Sequence, residues 1–169
     1  GVAPSMVICR ERNTAASWAV YHSALGATKW LRLNSTAAST TSSLEFNSTA
    51  PTSTVVTLGG AGSDTNDSVG LLGLAYCWSE VAGYSKFGTW TNNNSTSGTF
   101  TYLGFRPRFI LLKNTDNVER WFIFDSSRQT YNIPPPATSW LVPNDTAAEG
   151  ANGATTATID LLSNGFKIY

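Results

Sequence analysis

Short apolar runs rich in β-branched and aromatic residues alternate along this chain with stretches of Ser, Thr, Asn and Gly. Runs of this kind, bounded by turn-forming residues, predict strands. Met6–Arg10 and Trp18–His22, separated by the polar segment Glu11–Ser17, predict a hairpin. Phe109–Lys113 and Trp121–Asp125, joined by Asn114–Arg120, predict a second one. Further strands are expected at Trp30–Leu33, Thr54–Leu58, Gly70–Trp78, Phe87–Trp90, Thr99–Leu103, Thr158–Leu162 and Phe166–Tyr169. The best helix candidate, Ser17–Trp30, lacks an apolar stripe at helical spacing. The expected class is therefore all-β: an antiparallel β-sandwich or jelly roll with little helix.

The same pattern occurs twice. Laying Gly1–Pro4 on Gly104–Pro107, an offset of 103 positions, brings Met6–Arg10 onto Phe109–Lys113 and Trp18–Ser23 onto Trp121–Ser126 without a gap. After a proline-rich insertion around Ile133–Pro136 the offset becomes 110, and Asn34–Ala38 meets Asn144–Ala148. Val55–Leu58 can be laid on Phe166–Tyr169 more loosely, at an offset of 111. Self-similarity at a long period marks a duplicated unit. The domains expected are a first unit at 1–103 and a second, shorter one at 104–169, packed as one sandwich module or two closely associated ones. A first residue of Gly and a second copy ending at Tyr169 point to a piece of a longer parent protein.

Composition narrows the function. Charged residues make up 13% of the chain, about half the usual share, so the surface is rich in hydroxyls and amides. Eleven basic residues balance eleven acidic ones, leaving no long-range field to draw in phosphate backbones or anionic lipid. Nucleic acid is not an expected partner, and no run approaches the ~18 apolar residues of a spanning helix, so membrane insertion is not expected either. Six Trp, six Tyr and eight Phe can bury enough area to fold the chain. Cys9 and Cys77 both sit in apolar runs where a thiol behaves as a small hydrophobe. The sequence leaves a bridge between them open.

Catalytic patterns are missing. His22, next to Ser23, stands where the second copy has Asp125, and neighbours on a strand face opposite ways, so His22 reads as a strand-end polar residue. Gly59–Gly62 lacks the Lys and Ser/Thr of a phosphate loop and reads as a flexible turn. Asp125, Asp160, Glu80 and Glu149 are scattered, and no spacing nominates a glycosidase pair. No catalytic residue and no metal is expected, with a weak calcium possibility at Asp64, Asn66 and Asp67. N-x-S/T triplets at Asn34, Asn47, Asn66, Asn93, Asn94 and Asn144 matter only in a eukaryotic secretory pathway. Trp18, Trp121, Trp30 and Trp140 read as core. Trp78 and Trp90 flank Gly83–Phe87, and Trp90 leads into an Asn/Ser/Thr loop, the combination that suits sugar recognition. The candidate glycan contacts are Trp90, Asn92, Asn93, Asn94 and Tyr84.

Ala75–Trp78, Val81–Gly88, Gly104–Pro107, Trp121–Asp125 and Leu162–Lys167 together resemble a domain of unknown function found in tail-fibre-like and other virion proteins of marine tailed phages. The resemblance covers nearly the whole chain, and the family has no assigned catalytic residue to carry over. It implies a laminin-G-like or jelly-roll sandwich on a virion, serving in structure, attachment or both, and the expected location is the virion surface or otherwise extracellular. The first copy departs from the pattern, reading Gly1-Val-Ala-Pro4 without the Phe that follows Gly104. The expected function is non-enzymatic attachment to a host cell-surface glycan or receptor, in contact with other virion proteins and as a homo-oligomer, a trimer being plausible. The alternatives are a purely structural or oligomerisation module and a polysaccharide depolymerase-type hydrolase.

Overall fold

The computed structural model describes residues 1–128, 132, 140–146, 148–150 and 159–169. Its strands are β1 (Met6–Glu11), β2 (Ala19–His22), β3 (Lys29–Arg32), β4 (Thr40–Thr41) and β5 (Gly73–Trp78), then β6 (Thr99–Tyr102), β7 (Phe109–Lys113), β8 (Trp121–Asp125), β9 (Ile159–Leu162) and β10 (Gly165–Ile168). Among the described residues every strand pairing is antiparallel. Among the described residues the sole helical element is a 3-10 turn at Ser23–Leu25. The fold is thus all-β and sandwich-like, as the residue pattern predicts. The insertion at Ile133–Pro136, Ala147 and the Thr158 start of the predicted 158–162 strand lie outside the described residues.

The chain forms two compact units, one of Gly1–Val81, Ser85–Gly88 and Asn114–Glu119, the other of Ala82–Tyr84, Thr89–Lys113 and Arg120–Tyr169. The sequence boundary at 103/104 falls inside the second of these. The first unit is built on a five-stranded sheet in the order β4-β3-β2-β1-β5. Strand alternation puts Val7, Cys9, Ala19 and Tyr21 on one face, where they form a core with Trp30 and Phe46, and Val56 and Leu58 pack against it. In the second unit the β7–β8 hairpin contributes Ile110, Phe122 and Phe124. The three-stranded sheet β6-β10-β9 contributes Ile159, Leu161 and Phe166 to the same core, so two sheets sandwich one apolar layer.

The hairpins of the two units have the same register. Met6 pairs with His22, Val7 with Tyr21, Ile8 with Val20 and Cys9 with Ala19. Adding 103 to each gives the β7–β8 pairs Phe109 with Asp125, Ile110 with Phe124, Leu111 with Ile123 and Leu112 with Phe122. The Ser23 N–H donates to the Ser5 carbonyl as the Ser126 N–H donates to that of Arg108. The next strand follows at the offset of 110. Val20 pairs with Leu31, and Ile123 bridges to Leu141. The Trp18 N–H donates to Asn34 Oδ1 at 3.0 Å, and the Trp121 N–H to Asn144 Oδ1 at 2.9 Å. Core positions agree too: Val7 with Ile110, Tyr21 with Phe124, Trp30 with Trp140.

Several expectations change. Thr54–Leu58 is not a strand, because the Thr52 hydroxyl accepts from the Thr54 and Val55 N–H groups and closes a local turn instead. Burial also moves its match with the second unit from 111 to 110, since core-facing Val56 then falls on buried Phe166 and not on Lys167. Phe87–Trp90 is not a strand either. The Phe87 N–H is taken by a Glu80 carboxylate oxygen at 3.1 Å, next to the tight Val81–Ser85 bridge. Glu11, expected in a turn, ends β1 and is buried. Gly59 is buried rather than a flexible turn: a Cβ there would lie 1.3 Å from the Leu44 carbonyl oxygen.

Candidate functional site: an aromatic platform on the first unit

The face of the first sheet opposite its core carries the even-numbered positions of β1 and β5. Ile8 stands opposite Tyr76, and Met6 opposite Trp78. Period-two alternation therefore sets Tyr76 and Trp78 side by side on the terminal strand of the sheet. Trp18, just ahead of β2, joins them. The Trp18 and Tyr76 rings stack with centroids 6.4 Å apart, and Tyr76 and Trp78 at 5.9 Å, both pairs inclined by 24°. The three rings, with Ile8 and Leu33, line an open depression of about 310 Å³. Tyr76 is 50% and Trp78 42% exposed. The Arg10 guanidinium lies over the Trp18 ring, 5.2 Å from its centroid. Arg10 Nε is buried with no hydrogen-bond partner among the described residues.

A row of electron-rich rings, with Tyr76 and Trp78 exposed and Trp18 half-buried, suits a ligand with C–H faces. The depression itself has no carboxylate in its lining. Trp18, expected in the core, is corrected to the platform. Its counterpart Trp121 is buried, so the corresponding face is covered there and open at Trp18. The Tyr76-x-Trp78 spacing on a strand was the signal that could have found the platform.

The residues nominated from sequence sit in the second unit. Tyr84 is 79% exposed, and Trp90 is half-buried. The amides of the loop fold it on itself: Asn92 Oδ1 accepts from the Asn94 N–H, Asn93 Oδ1 accepts from the Ser95 N–H, and Asn93 Nδ2 donates to the Gly98 carbonyl. Asn94 takes a left-handed conformation at φ 50°. Among the described residues no ring pair joins Tyr84 to Trp90.

A second grouping surrounds the loop of Asp64, Asn66 and Asp67, and the approach of Glu11 and Glu45 to it was not legible in the sequence because they come from distant segments. Glu11 and Glu45, 2% and 4% exposed, reach the 62–67 loop. Glu11 accepts from the Thr14 hydroxyl at 2.8 Å and the Asp67 N–H at 2.7 Å, and Glu45 from the Asp64 N–H at 2.9 Å. Asp64 in turn accepts from the Ser17 N–H and faces Arg32, while Asp67 accepts from the Gly62 N–H and Asn66 donates to the Gly59 carbonyl. These carboxylates hold backbone in place. Burial raises the Glu45 carboxyl above its ordinary value. Asp64, Asn66 and Asp67 share this loop, and among the described residues no group of three or more His, Cys, Asp or Glu is placed to hold a metal ion.

His22 caps the 3-10 turn, its Nδ1 accepting from the Ala24 N–H at 3.2 Å. Asp125 accepts from the Ser127 N–H at the matching position. Burial lowers the His22 pKa, with Glu80 opposing. Cys9 and Cys77 are unbridged, and burial, with Cys77 nearby, pushes the Cys9 thiol up to about 12.

One family model matches residues 1–169, described as Domain of unknown function (DUF7483). The chain belongs to that family. Its description assigns no activity, ligand or partner. Comparison with curated proteins gave no match, and comparison with solved structures gave none.

Proposed function

We propose that this chain is a non-enzymatic virion module that attaches to a host-surface glycan through the platform of Trp18, Tyr76 and Trp78. The observation that carries the reading is the stacking of three rings across an exposed sheet face. Pyranose rings present C–H faces that pack on such a surface, and the Arg10 guanidinium lies over the Trp18 ring. The neutral, amide-rich composition agrees with an uncharged polysaccharide partner. The virion setting rests on the resemblance of the chain to tail-fibre-like phage proteins.

The test is a glycan array with the purified chain, followed by competition of that chain against phage adsorption. A saturable glycan hit is expected, reduced at least tenfold, or ~1.4 kcal/mol, by Trp78→Ala. The same loss from Trp90→Ala, with Trp78→Ala neutral, would return the site to the Trp90–Asn94 loop and Tyr84. A second reading, an oligomerisation module, is favoured by the exposed rings of Phe100, Tyr102 and Phe109 on the second unit. Solution mass decides it, since a monomer that still binds glycan excludes that reading.

The two units are, in the same proposal, copies of one module, supported by the shared hairpin register and the paired Asn34 and Asn144 clamps.

A further inference from the structure

The shared register gives β7 a vacancy. In the first unit β1 is paired along both edges, by β2 on one side and β5 on the other. Alternate residues of an antiparallel strand turn their N–H and C=O groups to opposite edges. The Ser23-to-Ser5 and Arg12-to-Leu72 bonds fix the phase. Residues 7 and 9 address β2, and 8 and 10 address β5, with Met6 opposite Trp78 and Ile8 opposite Tyr76, while Ser5 is split, its carbonyl accepting from the Ser23 N–H and its own N–H donating to the Trp78 carbonyl. In β7 the Ser126-to-Arg108 bond sets the same phase, so Ile110 and Leu112 address β8 while Phe109 and Leu111 face the other way. Among the described residues β8 is the sole strand paired with β7. The Phe109 side chain beside that edge is 60% exposed.

We infer that the Phe109–Leu111 edge of β7 is a strand-docking site for an extended segment of another polypeptide with the residue pattern of β5. An open edge offers unsatisfied backbone groups to an incoming strand, and main-chain bonds supply affinity while alternate side chains supply specificity. The β1–β5 pairing dictates the occupant: it runs antiparallel to β7, sets an aromatic opposite Phe109 in the place of Trp78, and another opposite Leu111 in the place of Tyr76. Small residues in the places of Ala75 and Cys77, both exposed in the first unit, stand on the other face, opposite the positions of Cys9 and Val7. The inference rests on reading the two units as copies.

The probe is a peptide of residues 69–81 carrying Cys77→Ser, added to the full chain and followed by amide hydrogen exchange. The Phe109 and Leu111 amides are expected to exchange freely in the chain alone and to slow at least tenfold with peptide. A peptide with Tyr76→Pro, which loses a ladder donor, should not slow them. Protection of both amides in the free monomeric chain would overturn the inference, because the edge would already be covered. Protection that appears only with dimer formation would overturn the assigned occupant, as would peptide that leaves both amides unchanged. Unequal losses of stability from Asn34→Ala and Asn144→Ala would count against the copy reading itself. Failure of the docking claim appears only at the β7 amides.

Discussion

His22 is a histidine doing a cap's work. Its folded-state pKa is depressed below 6.5, chiefly by burial, so between the two values the unfolded chain binds the proton more readily. Its contribution to stability is therefore present above pH 6.5 and is lost as pH falls through the folded value. His22→Asp installs the residue that stands at the matching position, Asp125. That variant should keep the cap and confine the loss to the carboxylate range, below about pH 4. Thermal melts of both proteins between pH 4 and 8 check this; the same pH slope in both would contradict it. Gly59 is a harder constraint. Its backbone approaches the Leu44 carbonyl more closely than any Cβ permits, and Gly59→Ala should cost about 3 kcal/mol in denaturant unfolding. Nothing in a Gly-Gly-Ala-Gly run announces such contact, because the partner carbonyl comes from a segment far along the chain.

Hairpins were the most legible elements. Both strands of each are continuous apolar runs joined by polar turns, and local pattern alone predicts Phe109–Lys113 and Trp121–Asp125 with the bounds the structure gives. Where a side chain intercepts a backbone amide, pattern misleads: the Thr52 hydroxyl and the Glu80 carboxylate unmake the strands expected at Thr54–Leu58 and Phe87–Trp90. Trp18 and Trp121 occupy the same register, yet only the second is buried. Sequence equivalence therefore did not separate core from platform. The shared element also sets energies. Phe124, packed with Phe122 and fully buried, should cost about 3–5 kcal/mol on replacement by Ala. Loss of either clamp, by Asn34→Ala or Asn144→Ala, should cost about 1 kcal/mol. Chemical denaturation of the variants reads both effects.

At the scale of the whole molecule, an all-β chain with balanced charge and a hydroxyl- and amide-rich composition displays one row of stacked aromatic rings. The composition was readable directly, and so was the recurrence of the hairpin pattern at an offset of 103. The platform was not, because it depends on which strand ends up at the side of β1, a long-range pairing between residues 6–11 and 73–78. The membership in a family without an assigned function leaves the chemistry of the faces to carry the reading. Tryptophan fluorescence titration with polysaccharide from the host envelope tests it most directly, comparing the unaltered chain with Tyr76→Ala and Trp78→Ala variants of unchanged melting temperature. Saturable quenching and a spectral shift in the unaltered chain, lost or weakened at least tenfold in both variants, is the predicted result. Equal binding by all three proteins, or none by the unaltered chain, would contradict the account.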